Sequence, residues 1–107
     1  MIKKVSIDGK LEEIDEPWSP RVVGDIDDYQ VKIVKMQGDF EWHHHDEEDE
    51  MFLVLSGELI MRTEENDIEL EENEFIIIPA GLDHKPVAER EAHVMLFEKE
   101  SIKRKGD

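Results

Sequence analysis

Residues 40–57, Phe-Glu-Trp-His-His-His-Asp-Glu-Glu-Asp-Glu-Met-Phe-Leu-Val-Leu-Ser-Gly, carry both a strand pattern and a polar cluster, and the rest of the chain is read outward from them. Residues 40–45 read as extended, residues 46–49 as a four-residue polar connection, and residues 50–55 as a β-rich apolar run ending at Ser56-Gly57. The outline is a hairpin. Side chains at i and i+2 of an extended chain point to one face about 6 to 7 Å apart, so His43 and His45 can converge on one ion while His44 points away. Glu50 opens the returning strand and is expected beside the two imidazoles. Phe52 and Val54 share its face and are expected to line a pocket.

The same alternation recurs on both sides. Residues 29–36 alternate, with Val31 and Ile33 on one face and Lys32 off it, and Gly38-Asp39 breaks the pattern. Residues 58–63, a turn at Asn66-Asp67, residues 68–70, residues 75–79, a turn at Ala80-Gly81 and residues 92–98 continue it, while the basic tail 101–107 reads as frayed or briefly helical. Eight or more short strands with tight turns predict an all-β chain, an antiparallel sandwich or small barrel. A length of 107 residues suits one core, and four prolines and six glycines leave no linker, so residues 1–107 are expected to form a single domain.

Composition narrows the chemistry. Twenty-nine acidic against 13 basic residues give a net charge of -16, which disfavours nucleic acid and anionic membrane surfaces, since both need clustered Lys and Arg. With no cysteine there is neither a disulfide framework nor thiolate chemistry, so a metal ligand or nucleophile must be of another type. Residues 1–10 alternate charged with apolar residues and no run approaches a membrane span, which predicts a cytoplasmic protein.

Imidazole with carboxylate suits Fe(II), Mn(II), Ni(II), Cu(II) or Zn(II) and suits Ca(II) or Mg(II) poorly. His84, after Pro79-Ala80-Gly81, could bring a fourth donor from another strand. A histidine pair on an acidic hairpin is also compatible with plain surface, and agreement with Glu50 and His84 is what favours a divalent transition metal. Glu47, Glu48 and Asp49 read as a solvated connection whose charge draws cations. His93 reads as a strand histidine satisfied locally, His44 as outward-facing, and Trp18 and Trp42 as packing or interface residues. Arg62 reads as a surface residue, with an anion anchor facing the cavity as the other option. Glu41 and Asp83 are the available general bases, and Ser56 in Leu-Ser-Gly is not a nucleophile elbow.

His43-x-His45, Glu50 after four intervening residues, Gly57 after six more, and Pro79-x-Gly81-x-x-His84 together resemble the two motifs of the cupins, at about residues 38–57 and 73–88. Fifteen residues, 58–72, separate them. The resemblance implies a jelly-roll β-barrel with a metal near one mouth, held by three histidines and one glutamate, which carry over to His43, His45, Glu50 and His84. Gly38 lies one residue closer to the first histidine than the motif's glycine, Asn73 stands for the second motif's opening glycine, and Ala88 for its closing asparagine. Asn tolerates the left-handed conformation that glycine serves. The resemblance further implies a homodimer, with residues 5–18 as the segment packed or exchanged between protomers.

Cupins include oxygenases, isomerases, decarboxylases, storage proteins and sugar sensors, so fold and ligands do not choose a reaction. Three readings follow: a metal-dependent enzyme acting on a small oxygen-bearing metabolite, a non-catalytic small-molecule sensor, and a structural dimer without turnover.

Overall fold

The computed structural model describes residues 2–102. Its elements are α1 (Ile7–Glu12), β1 (Arg21–Ile26), β2 (Tyr29–Asp39), β3 (Glu50–Ser56), β4 (Leu59–Thr63), β5 (Asp67–Leu70), β6 (Phe75–Ile78) and β7 (His84–Lys99). All strand pairs are antiparallel, in the order β1-β2-β7-β3-β6, with β4 pairing β5 and β7. The sheet is not closed into a ring, and the architecture is the expected jelly roll. Among the described residues no helix is long and apolar enough to cross a membrane.

The longest strand organises the rest. β7 has 16 residues; its first part pairs with β4 from His84 to Val87, and its second part lies between β2 and β3. Because side chains alternate along a strand, His84, Pro86, Ala88, Ala92, Val94, Leu96 and Glu98 all turn inward and are buried. Of these, Ala88, Ala92, Val94 and Leu96 meet Val34 and Met36 of β2, Phe52 and Val54 of β3, Leu59 and Met61 of β4, and Ile78 of β6 in the main core. Each fully buried aliphatic or aromatic side chain there stabilises the fold by roughly 1.5–3 kcal/mol.

Several local expectations are corrected. Residues 40–45 do not form a hairpin with residues 50–55: β3 pairs with β6 and β7, and the segment before it meets β7 at an isolated bridge, His43 opposite His84. Seven strands are present among the described residues, and one, β1, was not anticipated, because Arg21–Ile26 alternates weakly and lies at the sheet edge. Residues 5–18, the segment expected between protomers, carry the short helix Ile7–Glu12. Ser6 caps it, accepting from Gly9 N at 3.1 Å, and Leu11 and Ile14 pack on Ile33 of the chain's own sheet. β2 is therefore covered on both faces, Ile33 under α1 and Val34 in the main core, which is why its apolar run marks no single inner face. Ser101 and Ile102 are docked, Ser101 Oγ donating to Glu48 Oε2 at 3.2 Å and Ile102 being buried; the rest of the expected tail, 103–107, lies outside the described residues.

Asn73 adopts φ 68°, the left-handed conformation expected of it, and Gly38 and Gly57 both have φ 84°. A Cβ on Gly57 would lie 3.0 Å from Glu91 O and 3.1 Å from Ala92 Cα, whereas one on Gly38 meets nothing within 4 Å. Gly38→Ala is thus expected to lower unfolding free energy by about 1–2 kcal/mol through backbone strain alone. Gly57→Ala should cost more, roughly 2–4 kcal/mol, because the β7 backbone must also shift. Urea unfolding of the two variants side by side checks this; equal losses would mean that the contact relaxes at no cost.

Candidate metal centre

Two backbone connections bring the polar residues together. His43 N donates to His84 O at 3.0 Å and His84 N to His43 O at 2.9 Å, while Gly81 N donates to His45 O at 2.8 Å. The motif segment and the Pro79-Ala80-Gly81 turn are thereby tied to each other directly, with Ala80 N also donating to Asp49 Oδ1 at 2.9 Å. The His43 ring centroid lies 4.3 Å from that of His84 and 5.5 Å from that of His45. Glu50, opposite Ile78 on β3, points the same way: its Oε1 is 3.4 Å from His45 Nε2 and 3.8 Å from His84 Nε2.

The histidine tautomers follow from their partners. Nδ1 of His43 lies 2.9 Å from Glu41 O, and Nδ1 of His84 lies 2.9 Å from Leu82 O. A carbonyl only accepts, so each Nδ1 carries a proton, and in the tautomer that this selects Nε2 is the bare nitrogen turned to the centre. Burial lowers the His43 pKa, the Glu41 carbonyl opposes this, and His84 adds to the lowering. For Glu50 burial acts to raise the pKa, but the His45 imidazole, 3.4 Å away, and Glu98 oppose it, and the carboxyl is held well below the usual range.

A nitrogen lone pair thus faces a carboxylate oxygen across a buried gap. His84 Nε2 and Glu50 Oε1 both lack hydrogen-bond partners, with His84 1% and Glu50 5% exposed. Such groups are costly unless a cation or proton lies between them. His43, Glu50 and His84 offer donor atoms all within 4.8 Å of one another, as do His45, Glu50 and Glu98. Each of these His/Glu groups could hold a metal ion, and imidazole with carboxylate is a donor set that transition ions accept.

Glu98 was missed from the sequence. It is 3% exposed, and Lys32 Nζ of β2 donates to its Oε1 at 2.8 Å and to Ile102 O at 3.4 Å. Burial and the adjacent Glu50 raise the Glu98 pKa to about 9, with Lys32 opposing. A signal was present: Ala92, Val94 and Leu96 define an inward register, and Glu98 is its next member.

A cavity of about 360 Å³ opens beside the centre, lined by His43, His45, Glu50, Lys32 and Glu98 and walled by apolar residues that include Phe52 and Leu96. Val54 is not in its wall; it is 0% exposed within the core. Trp18 packs as expected, stacked on Phe40 at 4.9 Å with Nε1 donating to Gln37 O at 2.9 Å, and it also lines the cavity.

The remaining candidates lie elsewhere. His44 turns outward to Asp83 at 2.7 Å and Asp46 at 2.9 Å, and the Asp83 hydrogen bond raises its pKa. His93 is bonded to Glu91 at 3.0 Å. Arg62 is on the surface, paired with Asp67 at 3.4 Å and 5.7 Å over the Trp42 ring. Neither Asp83 nor Glu41 lines the cavity.

Comparison with known proteins agrees with this fold. The uncharacterized protein YdbB of Bacillus subtilis (strain 168) is 31% identical over 74 residues, covering 68% of this chain and 66% of that one, just under two thirds of its length. The crystal structure of a cupin-2 domain containing protein from Shewanella frigidimarina NCIMB 400 superposes with a TM-score of 0.87 at 38% identity, over 89% of this chain and 93% of that one. Hydroquinone 1,2-dioxygenase from Sphingomonas sp. TTNP3, solved with 4-hydroxybenzoate bound, shares the fold with a TM-score of 0.81 at 19% identity, over 94% of this chain but 33% of that one. A family model described as the cupin domain matches residues 30–98, and the chain belongs to the cupin domain family.

Proposed function

We propose that this cupin is a metal-dependent enzyme acting on a small oxygen-bearing metabolite, by oxygenase or isomerase chemistry, with His43, His45, Glu50 and His84 holding one divalent transition ion. The observation that carries the reading is that His43, His45 and Glu50 open onto the 360 Å³ cavity while His84 is buried. A structural metal site is closed on all sides, whereas a catalytic one keeps a side free for substrate. When bound, the ion supplies Lewis-acid polarisation of a substrate oxygen.

The chain's own residues divide the remaining work. The Glu41 and Leu82 carbonyls fix the ring orientations of His43 and His84, so the donor nitrogens are aimed before any ion arrives. Phe52, Val34, Met36 and Leu96 exclude water around the substrate, and Trp18 with Pro20 flanks it. Hydroquinone 1,2-dioxygenase acts on a hydroxylated ring, which makes phenols the first compounds to try.

Untagged protein purified without chelators is expected to carry a near-stoichiometric transition metal by elemental analysis, as is His93→Ala. His45→Ala and Glu50→Gln should lose it while keeping the wild-type far-ultraviolet circular dichroism, since the core is built from other residues. Unfolding of both variants at room temperature would instead make the ion structural.

Catalysis is tested by incubating Mn(II)- or Fe(II)-loaded protein with O2 and a panel of phenols, hydroxy acids and hydroxyketones, followed by mass spectrometry. Product that disappears in Glu50→Gln is the expected result. Thermal shifts without product favour a metabolite sensor, and neither response favours a structural role.

We also propose a homodimer, formed by the outer face of β6, β3 and β7. Phe75 and Ile77 are each 58% exposed, and the register sets them beside Leu53 and Met51, which neighbour Met95 and Phe97. On a chain of net charge -16 this uncharged patch finds its best complement in a second copy of itself. Light scattering should give twice the 12.6 kDa chain mass for the wild type and the single mass for Phe75→Glu.

A further inference from the structure

The polar cluster extends beyond the four residues of the motifs. Glu98, from the far end of β7, has a donor oxygen within 4.8 Å of those of His45 and Glu50. Its two oxygens differ: Oε1 is held by Lys32 Nζ at 2.8 Å, whereas Oε2 is buried and has no hydrogen-bond partner. Lys32 is itself anchored on its other side by Ile102 O at 3.4 Å. The carboxylate is therefore clamped from β2, with one oxygen left over. Glu98 Oε2, Glu50 Oε1 and His84 Nε2 are the buried side-chain atoms left without a partner among the described residues, and a cation shared among them is the complement that this leaves open.

We infer that Glu98 is a further donor to the ion at this centre and that its carboxylate biases the centre toward oxygen-preferring ions, Mn(II) and Fe(II), over Zn(II). The inference rests on the proposed metal reading and adds to it a residue outside the two motifs. Carboxylate oxygen suits Mn(II), whereas imidazole suits Zn(II). Zn(II) in a protein site is commonly satisfied by four ligands, three histidines and Glu50 here, and gains little from a fifth. Ions that prefer six-fold coordination by oxygen gain from it. Lys32 acts as a positioning residue, since it touches Glu98 and not the other donors.

The test is calorimetric titration of metal-free protein with Mn(II) and, separately, Zn(II), together with electron paramagnetic resonance of the bound Mn(II). Glu98→Gln, which preserves shape and the contact with Lys32, is expected to weaken Mn(II) binding by about tenfold or more and to alter the Mn(II) spectrum, with a clearly smaller loss for Zn(II). The double variant Lys32→Met/Glu98→Leu removes both members of the buried pair and is expected to shift selectivity the same way, which keeps the test open if the first variant does not fold. Wild-type Mn(II) affinity with an unchanged spectrum in Glu98→Gln overturns the inference alone, and equal losses for both ions overturn the bias. A wild type that takes up neither ion overturns the metal reading and this inference together.

Discussion

The structure depends on a single alternation, that of β7. A strand has a side-chain period of two, so a one-residue slip would carry every inward side chain to the other face. In this strand the inward set begins with His84, runs through Ala88, Ala92, Val94 and Leu96, and ends with Glu98. The same register packs the core and places a histidine at one end and a glutamate at the other, both facing the centre. Because β2, β3 and β4 all pair with β7, their registers are set against it, and Glu50 and Lys32 reach the same space from its two sides.

Burying several polar groups at the edge of a β core is costly unless each is satisfied, and the molecule satisfies most of them locally. The Nδ1 atoms of His43 and His84 donate to carbonyls two residues earlier, and Glu98 Oε1 accepts from Lys32. What is left over is concentrated in one place: Glu50 Oε1, His84 Nε2 and Glu98 Oε2. These are the only buried side-chain atoms without a partner among the described residues, and all three belong to the same cluster. Unmet polarity confined to one cluster differs from a packing defect, which would be scattered. This concentration, beside an adjoining cavity, is what marks these histidines and glutamates as a group that could hold a metal ion.

Charge acts at longer range. Glu47, Glu48 and Asp49 precede Glu50 in the chain and add negative potential beside it, which favours cations. Asp49 has a second use, since its carboxylate accepts from Ala80 N and so helps to hold the turn that positions His84. Arg62, by contrast, is tied to Asp67 and Trp42 on the surface.

The sequence by itself determined the fold class, through period-two alternation broken by turn residues, and it singled out His43, His45 and Glu50 by their spacing and His84 by its resemblance to the second motif. Asn73 in its left-handed turn was legible for the same reason. The tertiary structure alone decided which strands are neighbours. The expected hairpin gave way to the His43–His84 bridge, because residues 40–43 bond to β7, which lies some 40 residues on along the chain. Within residues 5–18 the helix Ile7–Glu12 forms where Leu11, with Ile14 just after it, covers Ile33 of β2, a surface that exists only once the sheet has formed. Lys32 and Glu98, 66 residues apart, read singly as ordinary charges and become part of the centre only when β2 and β7 pair. Short-range periodicity records which way a side chain faces, whereas what it faces depends on contacts between distant parts of the chain.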